Sequence, residues 1–368
     1  MELDDNYSAV LGGTGGEETV KSDKLQGVDN MTMPNMTTSE WTIPDLLELS
    51  GGYWNTCALH AAVKLDIFTV LDGAFLTAEE VAQLKHANSR ATAMLLDALT
   101  AIGLLEKRDD SYRATAFAAE KLSKTNPGYL GHIIMHHHHL MPGWARLDEA
   151  VTSGRPIREP VSHGRDESIR ESFLMGMFNL ASQLAPRIAA SIPLSSCRRF
   201  LDLGGGPGTY AIQFCLANPD ISAVIYDLPT TRAFAEGVVT RFNLSARIDF
   251  ASGDYHADPI PSGFDVAWLS HILHSECRSA SVALLRKAVA ALNQGGTLMV
   301  QEFILDDAKD GPLFPALFSL NMLLGTDAGQ AYSGEELAAM MTEAGLSDVQ
   351  HLALELPNGA GIMRGRKK

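Results

Sequence analysis

The sequence predicts an α/β protein: a doubly wound, mostly parallel sheet in the C-terminal part, preceded by a mainly helical N-terminal region carrying a small β-wing. Three observations predict it. From Cys197 onward, short apolar runs of strand length alternate with helical stretches, the pattern of successive βαβ units. The first run, Phe200-Leu-Asp-Leu203, feeds a turn with glycines at alternate positions, Gly204, Gly206 and Gly208. Upstream, between Thr77 and Ala114, periodic helices lead into a short hairpin.

At 368 residues the chain has room for more than one core. We expect a disordered segment over 1–40, a helical, winged-helix-like region over 41–195 and the sheet domain over 196–368. Residues 1–40 are rich in Gly, Thr, Ser, Asp and Asn and lack periodicity. Met31, Met33 and Met36 lie just before the first periodic segment, where the true start is suspected. Apolar content of 46% and charged content of 20% fit a soluble globular protein. No apolar run suits a bilayer span and no basic-then-apolar leader is visible, so a cytoplasmic location is expected. The four cysteines, Cys57, Cys197, Cys215 and Cys277, have no paired spacing, which suggests neither a disulfide framework nor a zinc site. A formal net charge of −15 argues against a nucleic-acid partner.

From Ile43 to Phe68 an apolar stripe through Ala58, Ala61, Ala62 and Leu65 predicts helix. Thr77-Ala-Glu-Glu80 has capping-box spacing and opens a short helix. A second runs from about Ser89 to Ile102 with Met94, Leu95, Ala98, Leu99 and Ile102 on one face, and Gly103 stops it. Leu104–Lys107 and Tyr112–Ala114 form a hairpin across Asp109-Asp110-Ser111. This order suits a DNA-binding regulator, but the second helix offers only Arg90 as a cation, so packing within the chain or against a second copy is expected instead.

Residues 120–195 are again mostly helical, with Trp144, Leu147 and Ala150 on one stripe and a long helix opening at Phe173-Leu-Met-Gly-Met-Phe-Asn179. Its methionines are core filler or a soft wall around a flat apolar molecule. In the run His136–His139 only His136 and His139 could share a helix face; without a matching carboxylate or cysteine a metal site is not expected, and one of them lining a pocket is the better reading.

The expected strands are Arg199–Leu203, Ala223–Asp227, Ile248–Ser252, Phe264–Leu269, Gly296–Phe303, Val349–Glu355 and Ile362–Gly365, the last antiparallel after a turn at Pro357-Asn358-Gly359. The glycine spacing fits neither a dinucleotide fingerprint, because Thr209 stands where the third glycine is due, nor a P-loop, which requires lysine. Asp227, about twenty residues on at the tip of the second strand, suits a ribose diol. Asp254 and Tyr255, at the tip of the third, suit an adenine amino group and ring.

Asp202-x-Gly-x-Gly-x-Gly resembles the first motif of class I S-adenosylmethionine (SAM) methyltransferases. The fourth strand runs into Leu269-Ser-His-Ile-Leu-His274, which resembles the Asn-Ile-Leu-His segment of bacterial SAM-dependent O-methyltransferases related to the plant caffeate and flavonoid enzymes. With Tyr226-Asp-Leu-Pro229, Ser252-Gly-Asp254 and Glu302, the resemblance covers nearly everything from residue 45 onward. It implies a Rossmann-like methyltransferase domain, a homodimer through the N-terminal region, SAM as cofactor and a small aromatic or polyketide-like substrate, with no metal, nucleic acid or membrane. It implies SAM contacts from Asp202, Gly204, Gly205, Gly206, Asp227, Leu228, Asp254, Tyr255 and Ser270. His274 is then the general base and Glu302 orients it, while His139, Trp144, Met175, Asn179, His271, Asn321 and Met322 line the substrate pocket. The chain departs from the pattern at Ser275, where the family usually has Asp, and at Ala331, where a second orienting Glu is expected. Those departures leave His271 or Tyr332 as alternative bases. Two rival functions stay open: a SAM-binding enzyme that transfers no methyl, and a winged-helix regulator that senses SAM.

Overall fold

The structure, a computed structural model, describes residues 41–159 and 167–368. The expected disordered segment and its three methionines lie outside the described residues. Contacts divide the chain into two compact units, the first ending at Leu140 and the second running from Met141 to Lys368. The divide falls earlier than the break expected near residue 195, because the helices between 147 and 191 pack against helices of the sheet unit.

The first unit opens with α1 (Ile43–Gly51), α2 (Tyr53–Lys64) and α3 (Ile67–Val70), over the stretch from Ile43 to Phe68 that the sequence suggested is helical. Gly51-Gly52 interrupts it once, and Asp66, with φ 58°, turns it a second time. Next come β1 (Leu76–Thr77), α4 (Ala78–Leu84), α5 (Ser89–Ile102), β2 (Leu105–Arg108), β3 (Ser111–Ala114), α6 (Ala116–Leu122) and the start of α7 (Gly131–Trp144). The Thr77–Glu80 capping box is present in both directions, worth about 1 kcal/mol. Gly103 ends α5 at φ 91°. The hairpin gains a third strand, because β1 pairs with β3. Phe68, Leu71, Val81, Leu96 and Leu99 are buried in this unit's core, whereas Ile43, Leu46, Leu47, Tyr53 and Trp54 on α1 and α2 are exposed.

The second unit holds α8 (Leu147–Ser153), α9 (Glu167–Ser191), β4 (Arg199–Leu203), α10 (Thr209–Ala217), β5 (Ser222–Asp227), α11 (Arg232–Arg241), β6 (Ile248–Ser252), β7 (Phe264–Ser270), α12 (Arg278–Ala291), β8 (Leu292–Leu305), α13 (Leu313–Gly325), β9 (Tyr332–Ser333), α14 (Gly334–Glu343), β10 (Leu346–His351) and β11 (Ala360–Lys367). The sheet order is β10-β11-β8-β7-β4-β5-β6, with β9 paired to the end of β8. Strands β4 to β8 are mutually parallel, and β11 is antiparallel to both β8 and β10, as the closing turn suggested. β10 begins and ends earlier than the expected Val349–Glu355, its pairing shifting register between Ser347 and Gln350. Strand order reverses between β4 and β7, so the loops leaving their C-terminal ends flank the crevice where doubly wound sheets take ligands. β4 and β7 are buried almost throughout, which explains their continuous apolar sequence. Among the described residues no helix is long and apolar enough to cross a membrane.

Candidate active site

The turn leaving β4 is glycine for steric reasons. Gly204, Gly206 and Gly208 have φ of 69°, 53° and 79°, the left-handed region that a side chain resists. A Cβ on Gly204 would stand 2.5 Å from Ile272 Cδ1, so the turn lies against the segment that carries His274. Asp202 sits beneath the turn rather than at its surface: it is 1% exposed, and its Oδ2 accepts the Ala211 N–H in the first turn of α10 at 3.0 Å. Its Oδ1 has no partner, and burial pushes its pKa up to about 7. A Cβ on Gly205 would meet this carboxyl at 2.6 Å, which fixes a residue without a side chain above it.

Asp227 ties the next strand tip to the turn. Its Oδ2 accepts the Gly206 N–H at 2.8 Å, and its Oδ1 accepts the Leu228 N–H at 2.7 Å and the Thr231 hydroxyl at 3.1 Å. Burial raises its pKa against the lowering effect of these donors. Gly253, leaving β6, donates to Asp227 O, which brings the third tip alongside. Asp254 is held in a local turn: its Oδ1 accepts the His256 N–H at 2.8 Å, while its own N–H donates to Asp258. Tyr255 stacks obliquely on His256, with ring centroids 4.6 Å apart. Ser270, ending β7, donates its hydroxyl to Gln301 Oε1.

Past Ser270 the chain turns sharply through His271, whose φ is 57°, and His274 follows in a short 3-10 turn. Glu302, on β8 and 2% exposed, meets this turn with both oxygens. Its Oε1 accepts the Leu273 N–H at 2.7 Å, and its Oε2 lies 2.8 Å from His274 Nδ1 and 3.7 Å from His271 Nδ1. Burial opposes ionisation of Glu302, but the two imidazoles outweigh it and hold the carboxyl well below the ordinary range. An ionised carboxylate can only accept, so the His274 proton sits on Nδ1 and Nε2 carries the free lone pair. One donor atom from each of His271, His274 and Glu302 falls within 4.8 Å of the others, and among the described residues this is the group that could hold a metal ion.

Aromatic rings line this end of the sheet. Phe303 lies 4.3 Å from the His271 ring, and Phe318 stands edge-on to His274 at 4.8 Å. Phe314 and Phe318 each lie 4.8 Å from Phe303. The sequence pointed to Asn321 and Met322 on α13 but not to Phe303, Phe314 or Phe318; the spacing of Phe314 and Phe318 along an apolar helix is also that of ordinary core. Asn321, one turn beyond Phe318, accepts from Arg158 Nη2 through its backbone and side-chain oxygens at 3.2 and 3.3 Å. Arg158 is missed by sequence reasoning, because nothing local marks an arginine that meets a helix 163 residues later.

The remaining expected pocket residues divide as follows. Met175, Asn179 and Met322 are buried in the second unit, and Trp144 is half-buried there. His139 belongs to the first unit. In that unit the His138 ring packs on His60 at 5.6 Å, and burial pushes the His60 pKa down to about 4. Ala331 is buried with its N–H on Ser319 Oγ, so no second carboxylate reaches His274 from this position. Tyr332 donates its hydroxyl to Glu276 O at 2.6 Å and is 2% exposed, which leaves it poorly placed as a base.

Known proteins share this sequence pattern and fold. An O-methyltransferase domain model matches residues 144–347, and an O-methyltransferase dimerisation domain model matches 47–125. The 3-hydroxy-5-methyl-1-naphthoate 3-O-methyltransferase of Streptomyces sahachiroi is 38% identical over 88% of this chain and 94% of its own length. The tetracenomycin polyketide synthesis 8-O-methyltransferase of Streptomyces glaucescens is 32% identical over 88% of this chain and 96% of its own. The crystal structure of human N-acetylserotonin methyltransferase with SAM superposes with a TM-score of 0.78 at 26% identity, covering 90% of this chain and 99% of that one.

Proposed function

The chain belongs to the SAM-dependent O-methyltransferase family, and from that premise we propose that it methylates a phenolic hydroxyl of a small aromatic or polyketide-like molecule, with His274 as general base, Glu302 as its orienting partner and no metal ion. The observation that carries the reading is the 2.8 Å pairing of His274 Nδ1 with buried Glu302, which leaves Nε2 free to take a proton.

The residues around the glycine turn fit the cofactor. Gly206 has open space where a Cβ would lie, and Gly204 and Gly208 hold the left-handed backbone that lets a ligand approach closely. Asp227 presents a carboxylate at the β5 tip for a sugar diol, beside Leu228, while Asp202 and Gly205 shape the turn from below. Asp254, Tyr255 and Ser270 would complete the contacts from the tips of β6 and β7. SAM supplies a methyl group that is already electrophilic, because it is carried on a sulfonium.

A phenol is a weak nucleophile until its proton leaves, and His274 removes it through Nε2 while Glu302 stabilises the resulting imidazolium. Phe303, Phe314 and Phe318 suit a flat ring held beside that nitrogen, and alignment of this kind can supply up to about 7–11 kcal/mol of the barrier. Glu302 is already engaged by His274 Nδ1 and the Leu273 N–H, which supports metal independence. The homologous dimerisation domain and the exposed apolar residues of α1 and α2 support a homodimer.

The test is product analysis by mass spectrometry with SAM and a panel of naphthols and hydroxynaphthoates, run with and without EDTA. The reading expects S-adenosylhomocysteine and a product heavier by one methylene, at a rate that the chelator leaves unchanged. Turnover without demethylated cofactor would favour the non-methylating alternative, and loss of transfer in EDTA would remove metal independence.

A further inference from the structure

We propose that Arg158 is the receptor for a carboxylate carried by the aromatic acceptor, which makes the substrate class a hydroxy-substituted aromatic acid. The inference rests on the functional reading above and adds to it the second anchor point of the substrate.

Arg158 is a part-buried cation without a counter-ion among the described residues. No carboxylate among the described residues pairs with it, and burial alone accounts for a guanidinium pKa held below its ordinary value. Its Nη2 donates to Asn321 O and Oδ1, but its Nε–H is buried without a partner. An unmet buried donor is costly, and more so on a charged group. Capping the end of α13 explains the Nη2 contacts and leaves the rest of the fork unused. That fork is the group best shaped for a carboxylate, through two parallel N–H···O bonds.

The placement is built by the surrounding chain. The N–H groups of Ile157 and Arg158 both donate to Leu324 O, pinning the segment to the C-terminal end of α13, where the helix dipole favours a cation. A Cβ on Gly325 would lie 2.5 Å from Arg158 Cζ, and one on Gly143 would lie 3.3 Å from its Cδ. Two glycines therefore make room for the side chain.

Its distance from the base suits a bicyclic acid. Phe314, Phe318, Asn321 and Gly325 are spaced by four, three and four residues, so they share one stripe of α13. Phe318 touches His274, whereas Asn321 and Gly325 meet Arg158. At 1.5 Å per residue the cation lies roughly 5–10 Å along the helix from the base, and the Phe303, Phe314 and Phe318 rings gather at the base's end of that interval. A hydroxyl and a carboxylate at opposite ends of a fused ring system span that interval.

The test is calorimetry on the full-length protein saturated with S-adenosylhomocysteine, comparing 6-hydroxy-2-naphthoate with its neutral 6-hydroxy-2-naphthamide. The native protein should bind the acid about 10- to 100-fold more tightly than the amide, the range of a charge-assisted pair. Arg158→Gln should bring that ratio close to one, mainly by weakening the acid, and Arg158→Lys should keep part of it. Equal binding of acid and amide by the native protein would overturn the assignment. So would an Arg158→Gln variant that weakens both compounds alike, as expected for an arginine that only caps α13. Acid preference in a protein that methylates no phenol would count against the functional reading alone. Phenol methylation without acid preference would remove the Arg158 assignment alone.

Discussion

One carboxylate, Glu302, faces two imidazoles and a backbone amide, and its charge sets the hydrogen-bonding state of His274. Glu302→Gln keeps the shape but lets the side chain donate as well as accept, so the Nδ1-protonated tautomer is no longer enforced. We expect kcat to fall at least ~10-fold with little change in SAM affinity, measured by steady-state kinetics and calorimetry. Asp202 makes a different prediction. Its folded pKa of about 7 lies above the ordinary carboxylate value near 4, so the folded state keeps a proton that the unfolded chain has lost. Its contribution to stability is therefore fully present below about pH 4 and is lost as the pH rises through about 7. Asp202→Asn, which keeps an acceptor for the Ala211 N–H, should melt progressively higher than the native protein between about pH 5 and about pH 8. A melting difference that does not change across this range would refute the assigned state of Asp202. At this scale the sequence was informative wherever chemistry is local: the glycine turn and Asp227 stand at the ends of β4 and β5, and Glu302 on β8 meets His274 in the turn after β7. Asp254 was less legible, because part of its side chain serves its own turn.

At the scale of elements, the glycine turn is a tightly constrained connection. Gly208 ends it at φ 79°, and a Cβ there would collide with Ile225 Cδ1 on the neighbouring strand. Gly208→Ala should cost about 1–3 kcal/mol, from left-handed strain and displaced core together, and should weaken SAM binding. Denaturant unfolding and calorimetry read the two effects, and an unchanged unfolding midpoint would contradict the packing described. Strands β4 and β7 were legible because burial on both faces writes them as apolar runs with abrupt ends. The two-residue β1 and β9 were not, since so short a strand exists only through its partner. The placement of Arg158 against α13 was hidden for the same reason: its cause is a tertiary contact rather than a local pattern.

Across the whole molecule, each unit has its own core, and the first presents an apolar face on α1 and α2 that its own core does not use. Leu47 is 65% exposed there, and Leu47→Asp should shift a sedimenting dimer toward monomer without lowering the melting temperature of the sheet unit. A dimer that survives this substitution at micromolar concentration would move the interface elsewhere. The sequence anticipated both regions and the doubly wound order, but not where contact divides them, because helices α8 and α9 look alike in either unit until their packing partners are known.

The most direct measurement of the central claim is single-turnover methyl transfer by His274→Ala at saturating SAM, with the cofactor's dissociation constant measured in parallel. The account predicts a rate at least ~100-fold below native with nearly unchanged cofactor affinity. Transfer at the native rate would show that the proton leaves by another route, and the assignment of His274 as base would fall.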